Sequence, residues 1–401
     1  MEDKLYDVII VGGGCAGMSC AITYKTLNKQ GRLLVIDPNK RICEKVAIAG
    51  NGRCNIGNLK APGLDLVKDF WQRLGIEVKA NSNGWLYPLS EEGRSVQKQI
   101  EEAAQELAID ILTGTAVNDV NILEDDLNGK FQVVADNGKT YQGSKLLIAS
   151  GGKACPRLGT KGDGYGFART LGHLVKRTRP VLVPVLVKEN IKKMGLSGVR
   201  TDGNVKLFCN HQQIFQEDGN IQFLDDSISG IVILNMSRHL ILPENVGLDH
   251  GFDGYKVEID LCPSMTKDQL ATTINSKLAQ GWSVERALTT LVKSKIATWV
   301  AEQMCQDKRN KGTHNEDLAQ RASKLLKEFT LQVRGTKGWK DAQVSGGGVS
   351  LSQLDENMES KIVPGLYFAG EVTDFDGPCG GYNLQNSWYT GILAGRGMAD
   401  V

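Results

Sequence analysis

Gly12, Gly14 and Gly17, in the run Gly12-Gly13-Gly14-Cys15-Ala16-Gly17 directly behind the apolar stretch Val8 to Val11, carry the most chemical content in this chain. Their spacing is GxGxxG between a strand and a helix. The first glycine permits a tight turn, the second lets backbone approach a pyrophosphate, and the third lets helix and strand pack closely. The phosphates of a dinucleotide then meet the unpaired N–H groups that open the helix, around Gly13, Cys15 and Ala16. Val35-Ile36-Asp37 predicts a second strand that ends in an acid twenty residues after Gly17. A carboxylate there accepts hydrogen bonds from an adenosine ribose and disfavours a 2′-phosphate. Strand, glycines, helix, second strand and acid occur in order, so the segment reads as a nucleotide cradle and not as a plain turn. Which dinucleotide it holds stays open at this point.

Other reactive side chains are arranged less tellingly. Nine cysteines, at 15, 20, 43, 54, 155, 209, 262, 305 and 379, form no CxxC and no paired spacing, which argues against a disulfide framework. The five histidines, at 173, 211, 239, 250 and 314, have no partner at metal-ligand spacing, and no metal is expected. The triple glycine Gly346-Gly347-Gly348 lacks the fingerprint spacing and any βαβ context, so it reads as a close-packing segment.

These residues need a sizeable scaffold. With 401 residues, two or three domains are expected, and 41% hydrophobic with 23% charged residues is the composition of a globular protein. A net charge of +1, from 47 basic and 46 acidic residues, gives no electrostatic footprint for nucleic acid or an anionic membrane; a small-molecule substrate is expected instead. No apolar run approaches the roughly 18 residues of a membrane span. No signal pattern opens the chain, so the expected location is cytoplasmic.

The periodicity changes along the chain. A polar loop is expected from Lys45 to Asn58, then helices over 64–74 and 91–107, then strands over 109–120, 130–135, 140–142 and 145–149. From about Val181 to Asp260 short alternating segments predict an antiparallel, barrel-like module. Residues 264–327 turn helical, with Thr266 and Gln269 as a capping box, and strands resume near Leu331 to Val333. Leu366 to Phe368 predicts another buried strand before a helix over 384–398. The expected division is 1–186 for a first nucleotide-binding part, 187–262 with 328–338 for a β module, 263–327 for a helical insert, and 339–401 for the second nucleotide-binding part.

The glycine fingerprint, the strand Leu146 to Ser150-Gly151-Gly152 and the segment Leu366 to Gly370-Glu371 together resemble the three successive signatures of two-dinucleotide-type FAD enzymes. The resemblance implies an α/β fold, with a Rossmann-like FAD domain split by an antiparallel barrel-like module and a small helical subdomain. It implies that Glu371, usually Asp, faces the ribityl or pyrophosphate region. It also implies that the helix starting at Gly381-Tyr382-Asn383-Leu384 aims N–H groups at the flavin pyrimidine edge, where a positive helix end stabilises reduced flavin. More narrowly, Lys45 to Gly52-Arg53-Cys54-Asn55, Gly151 to Tyr165 and Asp376 to Gln385 resemble a bacterial family of NAD(P)/FAD-dependent oxidoreductases. That family includes aminoacetone oxidase-like flavoproteins and a flavoprotein of the gut bile-acid 7-dehydroxylation pathway. Gly57, before Asn58, stands where many relatives have Thr. Arg53 is read in a cofactor role, and Val117 resembles the position whose backbone meets the adenine in related FAD enzymes, or reads as a plain strand residue. Cys54 and Cys379 read as packed side chains, since neither has a paired His or a second nearby Cys. Tyr382 reads as a buttress to the ring or as a proton donor.

No protein nucleophile is needed at a flavin, and no catalytic residue is assigned. The leading expectation is an FAD enzyme that reduces an activated C=C bond in a small, steroid- or bile-acid-like molecule, with NAD(P)H binding transiently as electron donor. One alternative is an oxidase of a small amine such as aminoacetone, giving peroxide. Another is a flavin-binding redox sensor or electron-transfer protein, which the large inserted module disfavours.

Overall fold

The computed structural model describes residues 5–123, 130–241, 251–306 and 314–400. His250 lies outside the described residues. The chain divides into two units, one made of residues 1–181 and 342–401 and the other of 182–341.

In the first unit β1 (Leu5–Val11), α1 (Cys15–Leu27) and β2 (Leu33–Asp37) make a βαβ unit, with Val8 opposite Leu33 in parallel register. Val8, Ile9 and Ile10 are wholly buried, as a strand covered on both faces requires. Where the sequence predicts only a polar loop, a short α2 (Glu44–Ile48) and β3 (Gly57–Asn58) form. After α3 (Leu64–Arg73), β4 (Val78–Ala80) and β5 (Trp85–Pro88), β5 pairs antiparallel with both β3 and β4.

α4 (Gly93–Glu106) leads to β6 (Asp110–Thr113), which extends the parallel sheet beside β2. The expected single strand over 109–120 is broken. Gly114 turns with φ +65° and donates to Asn39 O, so β7 (Val117–Ile122) starts afresh in another part of the sheet. β7, β8 (Phe131–Ala135) and the first half of β9 (Thr140–Ile148) form an antiparallel meander, while β9 runs parallel to β1 along its length. α5 (Asp163–Thr170) and β10 (Val175–Val181) complete this segment.

The second unit is a barrel with helices. β11 (Val185–Val187), β12 (Arg200–Cys209), β13 (Gln212–Phe223), β14 (Ser227–Ser229), then α6 (Ile231–Ser237) and β15 (Tyr255–Asp260) precede four helices. These are α7 (Lys267–Ala279), α8 (Val284–Leu288), α9 (Ser294–Gln306) and α10 (Asn315–Lys327), and β16 (Phe329–Thr336) follows them. The strands close in the order β11-β14-β13-β12-β15-β16. Thr266 and Gln269 form the capping box at α7. Leu270, Ile274, Val300 and Leu326 of the helices share one buried cluster with Val205, Ile259 and Leu331 of the barrel. The division between units falls after Val181, not after residue 186, because Val185 and Leu186 are barrel residues paired with Ile228 and Ser227. It falls again after Asp341 instead of residue 338.

The chain then returns to the first unit with β17 (Val344–Val349), β18 (Leu366–Phe368) and α11 (Tyr382–Met398). β17 carries the triple glycine and pairs with β10, and a Cβ on Gly347 would fall 2.2 Å from Arg177 O, so this is indeed close packing. β18 joins the parallel sheet beside the second half of β9, with Leu366 opposite Leu146. The parallel strands β2, β1, β9 and β18 therefore end along one edge, where ligands of open α/β sheets bind.

Candidate FAD site

The turn after β1 needs its glycines. Gly12 has φ +110°, and a Cβ on it would fall 2.4 Å from Ala149 O at the end of β9. A Cβ on Gly17 would fall 1.9 Å from Gly12 O, whereas one on Gly14 would meet nothing within 4 Å. The outer glycines fix the turn, and Gly14 faces open space. Gly14 is also the N-cap of α1 and provides no side-chain cap, so the first N–H groups of a 13-residue helix lack side-chain acceptors beside that space.

Asp37, at the end of β2 and 6% exposed, accepts from Gly13 N at 2.6 Å and from Asn39 N at 2.8 Å. Burial pushes its carboxyl above the ordinary range, and the N–H donors of Asn39 and Gly13 pull it back. Thr115 N donates to Asp37 O at 3.1 Å, which brings the segment leading to Val117 beside this acid. Val117 opens β7 opposite Ala135.

At the ends of β9 and β18, Ser150 Oγ is buried without a hydrogen-bond partner, and Gly151 turns with φ +74°. Gly370 donates to Thr390 Oγ1 at 2.9 Å and lies against Ala16 of α1, where a Cβ would come within 2.8 Å of the Ala16 methyl. Glu371 accepts from Lys45 Nζ at 2.5 Å through one carboxylate oxygen and from Ser345 N at 2.9 Å through the other. Tyr165 donates its phenol proton to Glu371 O at 3.3 Å. Lys45 and Glu371, 326 residues apart, thus meet at the sheet edge beside the fingerprint helix.

The second helix start is α11. Gly380 and Gly381 turn with φ +109° and +93°, and Gly381 is the N-cap. The backbone N–H groups of Tyr382, Asn383 and Leu384 follow from it, and Gln385 N is the first to bond back, to Gly381 O. The Asn383 side chain is committed elsewhere, accepting from Gly377 N at 2.7 Å and donating to Gly377 O at 2.9 Å. Only its backbone is free to face a flavin.

The loop from Gly50 to Asn55 is tightly wound, with Gly52 at φ +84° and Cys54 at φ +57°. Arg53 lies half-exposed, its guanidinium 5.1 Å from the Tyr87 ring centroid and 3.8 Å from Glu91. Asn55 donates to Gly57 O and Leu86 O, and so braces β3 against β5. Cys54 is wholly buried, and that burial pushes its thiol up to about 12, which makes it a packed side chain and not a nucleophile. Among the described residues no cluster of His, Cys, Asp and Glu is suited to a metal ion. None of their helices is long and apolar enough to cross a membrane.

These residues fit FAD. The open space at Gly14 and the partnerless hydroxyl of Ser150 at the sheet edge, together with two helix starts that lack a side-chain cap, are what a buried pyrophosphate and ribityl chain require. Gly12 to Gly17, Asp37, Ser150, Gly151, Gly370, Glu371 and Lys45 cluster there. Sequence reading assigned no role to Asn39, Tyr165, Ser345, Trp85 or Gln385. Gln385 did carry a signal, as a polar residue at the start of the apolar stripe Trp388, Ile392.

A model of the HI0933-like protein Rossmann domain matches residues 6–397. The 3-dehydro-bile acid delta(4,6)-reductase of Clostridium scindens is 30% identical over 419 residues, covering 98% of both chains. The ribosomal RNA dihydrouridine synthase of Escherichia coli is 29% identical over 407 residues, covering 96% of this chain and 95% of the other. Among solved structures, 3-ketosteroid-delta4-(5alpha)-dehydrogenase from Rhodococcus jostii aligns with a TM-score of 0.50 at 16% identity, over 99% of this chain and 97% of its own. At that identity the likeness concerns the fold alone.

Proposed function

The chain belongs to the HI0933-like Rossmann-domain family and is an FAD-dependent oxidoreductase; from that premise we propose that it saturates a C=C bond conjugated to a carbonyl in a flat small molecule of the steroid or bile-acid class. One observation carries this reading. Two relatives of full length bear names that differ in substrate but describe the same change, because a delta(4,6)-reductase of a 3-dehydro steroid acid and a dihydrouridine synthase both saturate a C=C bond activated by a carbonyl. In such a reaction a hydride adds to the β carbon and a proton to the α carbon, while NAD(P)H becomes NAD(P)⁺. FAD, when bound, supplies the hydride relay. The chain's own residues bind and orient it: the α1 start and Asp37 hold the adenosine pyrophosphate end, and the α11 start holds the pyrimidine edge.

The second reading is a uracil within RNA, which the Escherichia coli relative favours. Charge supports the small molecule. A groove on the barrel unit, about 520 Å³, is ringed by Lys206, Lys267 and Lys327, yet each faces a carboxylate, Glu258, Glu328 and Asp260 respectively. Phosphate tracks need uncompensated cations. Both names describe reduction, which supports a reductase over amine oxidation.

The test is anaerobic mixing of the FAD-loaded protein with NADH or NADPH, followed by 4-androstene-3,17-dione, by a uridine-rich RNA, and in air by aminoacetone. The expected result is bleaching by a nicotinamide nucleotide, recovery of colour with the steroid, and a product heavier by two hydrogens. Recovery with RNA alone selects the second reading. A flavin indifferent to both nucleotides that makes peroxide with the amine overturns the proposal.

A further inference from the structure

Two buried polar side chains bind nothing in the cofactor cradle yet hold its second helix start in place. Asn58 is 2% exposed and Gln385 is wholly buried. Asn58 Nδ2 donates to Gly380 O at 2.8 Å, and Asn58 N donates to Gln385 Oε1 at 2.8 Å. Gln385 Nε2 donates in turn to Ala61 O at 2.9 Å and Pro62 O at 3.0 Å. The backbone fit around them has no slack. A Cβ on Gly381 would fall 2.1 Å from Gly57 O, one on Gly57 would fall 2.5 Å from Gln385 Oε1, and the Trp85 indole fills the space where Gly380 would carry a side chain. Asn58 and Trp85 are paired across β3 and β5, so their side chains share one face of that ribbon.

We propose that Asn58 and Gln385 are positioning residues that clamp the Gly380–Gly381 turn and so set how closely the N–H groups of Tyr382, Asn383 and Leu384 approach the flavin pyrimidine edge. The β3–β5 ribbon acts as the fixed jaw and Gln385 as the tie. Partial positive charge at a helix start favours the more negative, reduced state of a group beside it, and this effect falls off within the first turn. Loosening the clamp therefore weakens the binding of reduced FAD more than that of oxidised FAD. This rests on FAD binding and not on which double bond the protein reduces.

The test is the midpoint potential of bound FAD in Asn58→Ala, Asn58→Ser, Gln385→Ala and the double variant, by dye equilibration at neutral pH. The expected result is about tenfold weaker relative binding of the reduced form, which for a two-electron couple is a potential about 30 mV more negative. The double variant is expected to shift little further than either single one, because both act through one clamp. An unchanged potential in variants that bind FAD overturns the proposal. Should the variants lose FAD altogether, hydrogen exchange in the unaltered protein decides. FAD is expected to slow exchange at residues 382–384 at least tenfold, and unchanged exchange there refutes the assignment. Neither measurement uses a substrate, so failure of the double-bond reading leaves both standing.

Discussion

Gly12→Ala is expected to abolish FAD loading, raising the Kd at least about 100-fold, which corresponds to about 3 kcal/mol. Two costs add up to this. A residue with a Cβ held at φ +110° carries about 1–3 kcal/mol of backbone strain, and its Cβ at 2.4 Å from Ala149 O meets backbone that cannot swing aside. The turn must move off the end of β9, and with it the α1 start. Gly14→Ala separates cofactor from fold. Gly14 has φ −78°, and its Cβ would meet no protein atom, so the apo protein is expected to keep its thermal midpoint within a degree or two. The added methyl would occupy the space left for the pyrophosphate, and FAD affinity is expected to fall comparably. FAD fluorescence titration beside thermal melts of both variants checks this. A Gly14→Ala protein that binds FAD as tightly as the unaltered one would show that the open space is not the phosphate cradle.

What sequence revealed and what it hid divide along physical lines. The fingerprint was legible because backbone geometry admits only glycine at Gly12 and Gly17, whatever the rest of the chain does. The barrel was legible as alternation, and the α7 cap as a Thr–Gln pair. Secondary structure imposed by distant contacts was not. The sequence suggests two strands separated by Gly143 and Ser144, but β9 runs unbroken from 140 to 148, and Gly143 is needed there because a Cβ would fall 2.9 Å from the Ile9 side chain of the neighbouring strand. That one strand serves β8 with its first half and β18 with its second, a change of partner that no local pattern announces. α2 is only five residues long and gains support from α4, whose Gly93 lies against the carbonyls of Val46 and Ala47. The site divides in the same way. Residues that would meet the dinucleotide through backbone or a single carboxylate could be named, while those that act through a partner more than 300 residues away, as Asn58 does through Gln385, left only the faint sign of a polar residue on an apolar helix face.

Lys45→Met is expected to weaken FAD binding by about 10- to 100-fold at low salt, or about 1.4–2.7 kcal/mol. The Lys45 ammonium is the partner of Glu371, whose side chain is only 14% exposed and whose other oxygen is already taken by Ser345 N. Removing the cation leaves a carboxylate uncompensated at the edge where two phosphate charges must also sit, and like charges there repel. The figure stays below the 3–5 kcal/mol typical of breaking a fully buried pair because the lysine side chain is one-third exposed and water screens it. Adding Glu371→Gln to Lys45→Met removes the stranded charge, so the double variant is expected to recover at least half of the lost binding energy. Salt at 0.5 M should narrow the gap between Lys45→Met and the unaltered protein. The pH dependence follows from the same pair. Burial alone would lower the lysine pKa, but the Glu371 carboxylate outweighs it and raises the value above the ordinary one. The ammonium's contribution is therefore complete below about pH 10, the range of a free lysine, and is lost only as pH rises through the raised value. FAD titrations at pH 7 and pH 9 should thus agree in the unaltered protein. If Lys45→Met binds FAD normally at low salt, the ammonium serves Glu371 alone, and the electrostatic balance of the cradle lies in the helix starts.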